Sequence, residues 1–240
     1  MRERNISAFN EDIISNNGYL YTNTNKLSCK LSVNRNNQAI HQLLGSIKDK
    51  KIIDIGCGDG AFVKEIIDLQ PKSIIGIDPG EAAIELAKKS TAQFSHVEFQ
   101  VMDIYDLPLH QRYDIAILRG VLHHLYHPEK AIERVCQIAD RLIILEPNGY
   151  NPVLKILEKF SSYHIRHEEK SFFPKKLDKF FVKQGAIINK SAYVCLVPMF
   201  CPDFLAKILK FLEPWVESIP LFRNISCGGY VQEVHMSKNN

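Results

Sequence analysis

Asp54-Ile55-Gly56-Cys57-Gly58-Asp59-Gly60 is the stretch of this chain whose residue types and spacing bear most directly on chemistry. Glycines at alternate positions permit a tight turn and let a ligand lie against bare backbone. Ala61 completes a G-x-G-x-x-A string, a form that also opens dinucleotide sites. Cys57, held between glycines, reads as a small loop filler rather than a nucleophile. Eighteen positions beyond Gly60 stands Asp78, followed by Pro79. A carboxylate there can accept from both hydroxyls of an adenosine ribose, whichever cofactor carries it. Met102-Asp103-Ile104 offers a thioether to pack on a purine and an acid to accept from its amino group. Arg119 closes the set of candidate cofactor contacts. Asp54, Asp59, Asp78 and Asp103 would share one rim, with no Lys or Arg inside the glycine loop. Such a rim repels a pyrophosphate and attracts a sulfonium with its ammonium. Unit charges 4 Å apart interact by about 4 kcal/mol at an effective dielectric near 20.

These residues need elements that bring them to one edge. Lys51 to Ile55 is a short apolar run ending at the glycines and reads as a buried strand. Ala61 to Leu69 is helical, Ser73 to Ile77 a second strand, and Glu81 to Lys89 a second helix. His96 to Val101, Tyr113 to Leu118 and Leu142 to Leu145 read as three more strands. Pro128 opens the helix that carries Ala131, Ile132, Val135, Ile138 and Ala139. This alternation predicts an α/β, doubly wound, mostly parallel sheet with helices on both faces. Residues 1–37 hold nine asparagines and read as irregular or short-helical, with Tyr19 and Tyr21 as anchors. Gln38 to Ile47 is a short helix with Ile40, Leu43, Leu44 and Ile47 on one face. After residue 150, Pro152 to Phe160 and Pro174 to Lys183 are helical, and Ala186 to Leu196 and Cys227 to Met236 are strands. Between those strands, Asp203 caps a helix that Pro214 should stop. Its face of Phe204, Leu205, Ile208, Leu209 and Leu212 is expected to join the core or cap the site. Together with Pro198-Met199-Phe200 and Trp215, that face also suits a greasy acceptor or peripheral contact with a membrane. The whole reads as one domain over 1–240: an N-terminal cap at 1–47, a cofactor-binding core at 48–150, and a substrate-side half at 151–240 with a helical insertion at 197–222.

At this point the chain resembles class I S-adenosylmethionine-dependent methyltransferases of the small-molecule type. Asp54 to Gly60 matches that family's acid-x-G-x-G-x-G signature, Asp78 its ribose-binding acid, and Met102-Asp103 its adenine-contacting pair. Tyr113 to Leu125 looks like its fourth strand and following loop. The resemblance covers 50–147 closely and the remainder loosely. It implies a Rossmann-like sheet of seven strands with the last antiparallel, S-adenosyl-L-methionine as cofactor, and an N-terminal segment folded over it. The Asn/Asp-Pro-Pro-aromatic string of adenine, cytosine-N4 and glutamine-amide methylases and the Pro-Cys of cytosine-C5 enzymes are both absent, since the place reads Leu118-Arg119-Gly120-Val121.

His123 and His124 are the acid/base candidates, because they are the groups of that loop that titrate near neutrality. With His127 they make a trio, but adjacent histidines lack helical ligand spacing, so no metal is expected. Glu146, Asn148, Tyr150 and Asn151 either face an acceptor or, with Pro147 and Gly149, make an ordinary turn. Tyr163, His164, Arg166 and His167 read as a solvated helix end.

Composition narrows the classes. The chain has 240 residues, 45% hydrophobic and 24% charged, with a net charge of +3. Those values exclude wholesale disorder and do not call for nucleic acid. The six cysteines form no C-x-x-C pair, and the start shows no secretory leader. Reduced thiols in a cytoplasm are expected. No transmembrane segment is apparent. The leading function is methylation of a small, lipid-like or secondary-metabolite acceptor, on oxygen or carbon first, with nitrogen open. The alternatives are an NAD(P)-dependent oxidoreductase and a non-catalytic S-adenosylmethionine-binding protein.

Overall fold

The structure is a computed structural model that describes residues 2–16, 18–19, 23–199 and 201–237. Tyr21, Phe200 and the side chains of residues 2–5 and Tyr163 lie outside the described residues. In chain order the elements are α1 (Arg2–Asn16), α2 (Leu27–Leu44), β1 (Lys51–Ile55), α3 (Ala61–Ile66), β2 (Ser73–Asp78), α4 (Glu81–Thr91), β3 (Val97–Val101), β4 (Tyr113–Arg119), α5 (Pro128–Ile138), β5 (Ala139–Pro147), α6 (Pro152–Phe160), α7 (Ser162–Arg166), α8 (Pro174–Lys183), β6 (Ala186–Val194), α9 (Asp203–Ser218), α10 (Pro220–Ser226) and β7 (Gly229–Met236).

The strands form one seven-stranded sheet in the order β3-β2-β1-β4-β5-β7-β6. β7 alone is antiparallel to its neighbours, pairing Glu146 with Tyr230 on one side and Tyr193 with Tyr230 on the other. Alternate residues of the central strands feed two cores. Ile53, Ile55, Ala116, Leu118, Leu142 and Ile144 meet α5 and α8. Ile52, Ile115, Ile117 and Ile143 meet α2, α3 and α4. Strand order reverses between β1 and β4, which is where open α/β sheets bind ligands beyond their carboxyl ends. Asp54 and Arg119 share the parity of Ile52 and Ile117, and so project toward the α2–α3 side.

Four expectations about the elements need correction. The helix expected over 38–47 begins at Leu27, not Gln38, although residues 27–37 are polar. Ser28, Cys29, Ser32 and Asn37 are buried there, so tertiary packing overrides weak propensity. α9 runs through Pro214 to Ser218, because Glu217 beyond the proline is held by Arg35 at 3.0 Å. It starts after Pro202, and Asp203 occupies the first turn rather than the cap. Finally, the expected face of α9 does not join the core as a whole: Phe204, Ile208 and Leu212 are exposed, while Leu205 and Leu209 are half-buried.

Candidate active site

The cofactor candidates converge on one cavity of about 390 Å³. Gly56, Cys57, Gly58, Asp78, Pro79, Met102, Asp103, Ile104 and Arg119 all line it. Gly56 (φ 69°) and Gly58 (φ 55°) are left-handed. A Cβ on either would lie 2.4 Å from a neighbour, Val121 Cγ2 for Gly56 and Tyr19 Cε2 for Gly58. No side chain fits at those two turns. Gly60 stands behind the wall, where a Cβ would meet Ala87 and Phe99 at 3.0 Å. It serves close packing of α3 and α4 against the sheet. Cys57 is buried, and burial together with Asp54 and Asp78 raises its thiol well above the ordinary value, so it stays a neutral filler.

The acids gather as expected, in two layers. Asp59, Asp78 and Asp103 line the cavity, and Asp54 is buried behind it. Asp78 accepts from the backbone N–H of Gly80 at 2.8 Å and Gly58 at 3.1 Å. Burial nevertheless pushes its pKa up to about 6, against those bonds. Burial raises Asp54 to about 7, with Arg119 pulling down and Asp78 pushing up. Asp54 Oδ2 is buried with no hydrogen-bond partner, as is Nε of Arg119. Asp103 accepts from Tyr105 N at 3.0 Å and so caps the short turn Ile104–Asp106.

Arg119, Lys30 and Glu65 also line the cavity. Arg119 donates to Asn37 Oδ1 at 2.8 Å and lies 4.3 Å over the Phe62 ring. Asn37 in turn donates to Glu65 at 2.7 Å. Asn37, Phe62, Glu65 and Lys30 were not legible from sequence, because they come from helices whose pattern reports only packing. An adenosyl group with a ribose, an ammonium and a carboxylate fits this polarity. Asp78 and Asp103 would hold the adenosine, Arg119 and Lys30 the carboxylate, and the unsatisfied oxygen of Asp54 would balance the ammonium.

The loop after β4 is built around Glu146, at the end of β5. Its carboxylate accepts from Val121 N (3.0 Å), Leu122 N (2.8 Å) and His123 N (3.2 Å). It also takes the ring Nδ1 of His123 at 2.8 Å. Glu146 therefore faces inward, not toward an acceptor. Asn148 and Asn151 are also structural, donating to the Cys227 carbonyl at 2.9 and 3.3 Å. His123 is buried behind the cavity. Burial disfavours its charge, but Glu146, Glu169 and Glu158 outweigh burial and raise its pKa. His124 reaches the cavity wall, its ring 3.8 Å from that of His123. Burial, then His123, holds it well below the ordinary value. Its Nδ1 lies 3.3 Å from the His167 carbonyl, which can only accept, so Nδ1 carries the proton. Ligand atoms of His123, His124 and Glu169 lie within 4.8 Å of one another. Tetrahedral zinc would draw such atoms to roughly 3.3 Å.

A roof closes over the loop. Ile6 and Phe9 of α1, with Tyr19, line the cavity, and the Phe9 ring meets His124 at 5.0 Å and His167 at 4.6 Å. The 164–167 segment is not a solvated end. His167 is fully buried and 3.0 Å from Asp12, while Arg166 reaches Glu11 at 2.7 Å and Asp12 at 3.1 Å.

Comparison with known proteins agrees with this geometry. The methyltransferase domain family matches residues 46–185, and the chain belongs to it. The fold is that of an N-methyltransferase from Bradyrhizobium japonicum WM9 solved with S-adenosyl-L-homocysteine: TM-score 0.67, 13% identity, covering 98% of this chain and 100% of that one. Among curated proteins, a tRNA U34 carboxymethyltransferase of Campylobacter fetus subsp. fetus (strain 82-40) is 29% identical over 92 residues, 38% of this chain and 33% of that protein. A ubiquinone biosynthesis O-methyltransferase of Acinetobacter baylyi (strain ATCC 33305 / BD413 / ADP1) is 27% identical over 115 residues, 46% of this chain and 45% of that protein. The chain thus matches less than half the length of these relatives. By family the chain is a methyltransferase-domain protein and by fold it matches S-adenosylmethionine-dependent methyltransferases, which together support S-adenosyl-L-methionine as the cofactor. The oxidoreductase alternative falls with the topology, since dinucleotide folds run 3-2-1-4-5-6 whereas here antiparallel β7 is inserted beside β5.

Proposed function

We propose that the protein moves a methyl group from S-adenosylmethionine to an oxygen or carbon of a small, lipid-like or secondary-metabolite acceptor. The observation that supports this reading is that Phe9, Leu125 and Tyr126 line the same cavity as His124, with the Phe9 ring 5.0 Å from the His124 ring. Apolar walls with one convergent polar group suit a small organic acceptor. The cofactor supplies an electrophilic methyl and a thioether leaving group, so the protein's part is to position and desolvate. Asp78 and the glycine loop fix the adenosine, and the α1 roof excludes water. His124, kept neutral by burial, takes the proton from an acceptor hydroxyl at Nε2. His123 and Glu146 hold the loop that carries it. All six cysteines are free, which supports a reducing compartment such as the cytoplasm.

The tRNA-modifying relatives favour a second reading, with RNA as the acceptor. One assay separates the two. The protein and methyl-labelled S-adenosylmethionine are incubated with total RNA or with an organic extract of small molecules. Label in the organic extract alone is the expected result. Label in tRNA alone would replace the proposal, and label in neither would favour a non-catalytic binder.

A further inference from the structure

Arg119 leaves the end of β4 on a long side chain, yet its guanidinium is held in one place. The Phe62 ring of α3 lies beneath it, 4.3 Å from the guanidinium carbon. Nη2 donates to Asn37 Oδ1 at 2.8 Å. Nε is buried and has no hydrogen-bond partner. A buried donor without an acceptor is costly, and a ligand that supplies one gains by it. Arg119 lines the cavity, where a carboxylate is the ligand group that its charge and its fork of donors suit.

Asn37 stands on α2 and is only 4% exposed, so both ends of its amide need partners. Nδ2 donates to Glu65 Oε1 at 2.7 Å, and a carboxylate oxygen can only accept. That bond decides how the amide points: nitrogen to Glu65, oxygen to Arg119. The second oxygen of Glu65 lies 3.4 Å from His41 Nε2, one turn further along α2. Asn37 and His41, at i and i+4 of α2, thus grip the two oxygens of Glu65. The His41 ring also packs against Phe62, with centroids 5.4 Å apart. The helices α2 and α3 are cross-tied where they hold Arg119.

The residue type at position 37 has a consequence. The amide of Asn37 is neutral, so it orients the guanidinium and leaves the positive charge for a ligand. An aspartate there could accept the same bond, but it would cancel that charge and face Glu65 with a like one. Asp54 behind Arg119 cancels only part of the charge at neutral pH, because burial raises it to about 7. We propose that Asn37, oriented by Glu65, is a positioning residue that aims an uncancelled Arg119 at the cofactor's carboxylate, so that the cavity selects adenosyl donors that carry one. The inference rests on the reading that this carboxylate meets Arg119. It gives α2 a part in cofactor recognition through a side chain that acts on Arg119.

Two ligands separate the contributions: S-adenosylhomocysteine, and decarboxylated S-adenosylhomocysteine, which is the same molecule without the carboxylate. Each is titrated calorimetrically into the full chain. The wild type should bind the first about tenfold or more tighter. Asn37→Asp should weaken S-adenosylhomocysteine by about tenfold and leave the decarboxylated ligand within about twofold. Asn37→Ser, which removes the acceptor without adding charge, should show the same confined loss at about threefold. Arg119→Gln should abolish the preference, and Asn37→Asp added to it should change nothing more, since the two residues act as one unit. Undiminished binding of the decarboxylated ligand reports that each variant is folded. If Arg119→Gln loses the preference while both Asn37 variants keep it, the role of Asn37 is overturned and that of Arg119 stands. Equal loss for both ligands in the Asn37 variants would also overturn it, because packing alone would then explain the residue. A wild type with no preference would overturn the reading of Arg119 and the proposal with it.

Discussion

At the residue scale, two buried carboxyls set the electrostatics. Asp54 near 7 and Asp78 near 6 bind protons more readily than in the unfolded chain. Both folded values are raised, so the stability they contribute is full below the ordinary value of 3.8. It is lost as pH rises through about 6 and about 7. Asp54→Asn mimics the protonated form. It should raise the Tm of the ligand-free protein at pH 8, by about 2–4 °C for each kcal/mol recovered, while weakening S-adenosylhomocysteine binding. A Tm that falls would show that Arg119 depends on the charge. The same logic gives a pH profile: donors of the cofactor favour both carboxylates, so binding releases protons. Affinity should climb about tenfold between pH 5 and pH 8, or about 1.4 kcal/mol. Calorimetry in buffers of different ionisation enthalpy counts those protons, and a pH-independent affinity would contradict the assignment. Asp78→Asn should cost about 1–3 kcal/mol of cofactor binding, read in the same calorimeter.

At the element scale, the loop after β4 depends on one side chain. Glu146 accepts three backbone N–H groups and the His123 ring. Glu146→Gln would turn an amide against some of those donors and should destabilise the protein by about 2–4 kcal/mol, seen in urea unfolding. His124→Ala should cost about 1–3 kcal/mol of stability, since its ring packs on His123 and Phe9 and bonds the His167 carbonyl, and should lower kcat by about 10²-fold or more where the acceptor must lose a proton. An unaltered kcat would reduce His124 to packing. This contrast was only half visible in the sequence. The pair His123-His124 marks the loop, but the pattern does not say which ring faces the cavity. That depends on Glu146, brought alongside by β4–β5 pairing. Likewise, the periodicity of α9 identifies an apolar stripe without its direction, because Arg35, which fixes the direction, lies 182 positions away.

At the scale of the whole molecule, the cofactor half was readable because each strand ends in a residue with a chemical reason to be there. Gly56, Asp78, Met102 and Arg119 follow four consecutive parallel strands, and parallel pairing delivers their ends to one edge. The roof was not readable in the same way. α1 and α2 are helices in a polar, asparagine-rich stretch, and their hold on the site comes from distant partners, Arg166 and His167 for α1 and Arg141 for the end of α2. Removing residues 1–16 should therefore weaken cofactor binding and leave the sheet folded, as circular dichroism and calorimetry together would report. The central claim is that an acid-lined crevice at the β1–β4 switch point, with Arg119 in its lining, holds an adenosyl donor. Titrating S-adenosylhomocysteine and NADH separately into the protein tests it most directly. Saturable one-to-one binding of the first and none of the second is the result we expect; binding of NADH without S-adenosylhomocysteine would contradict it.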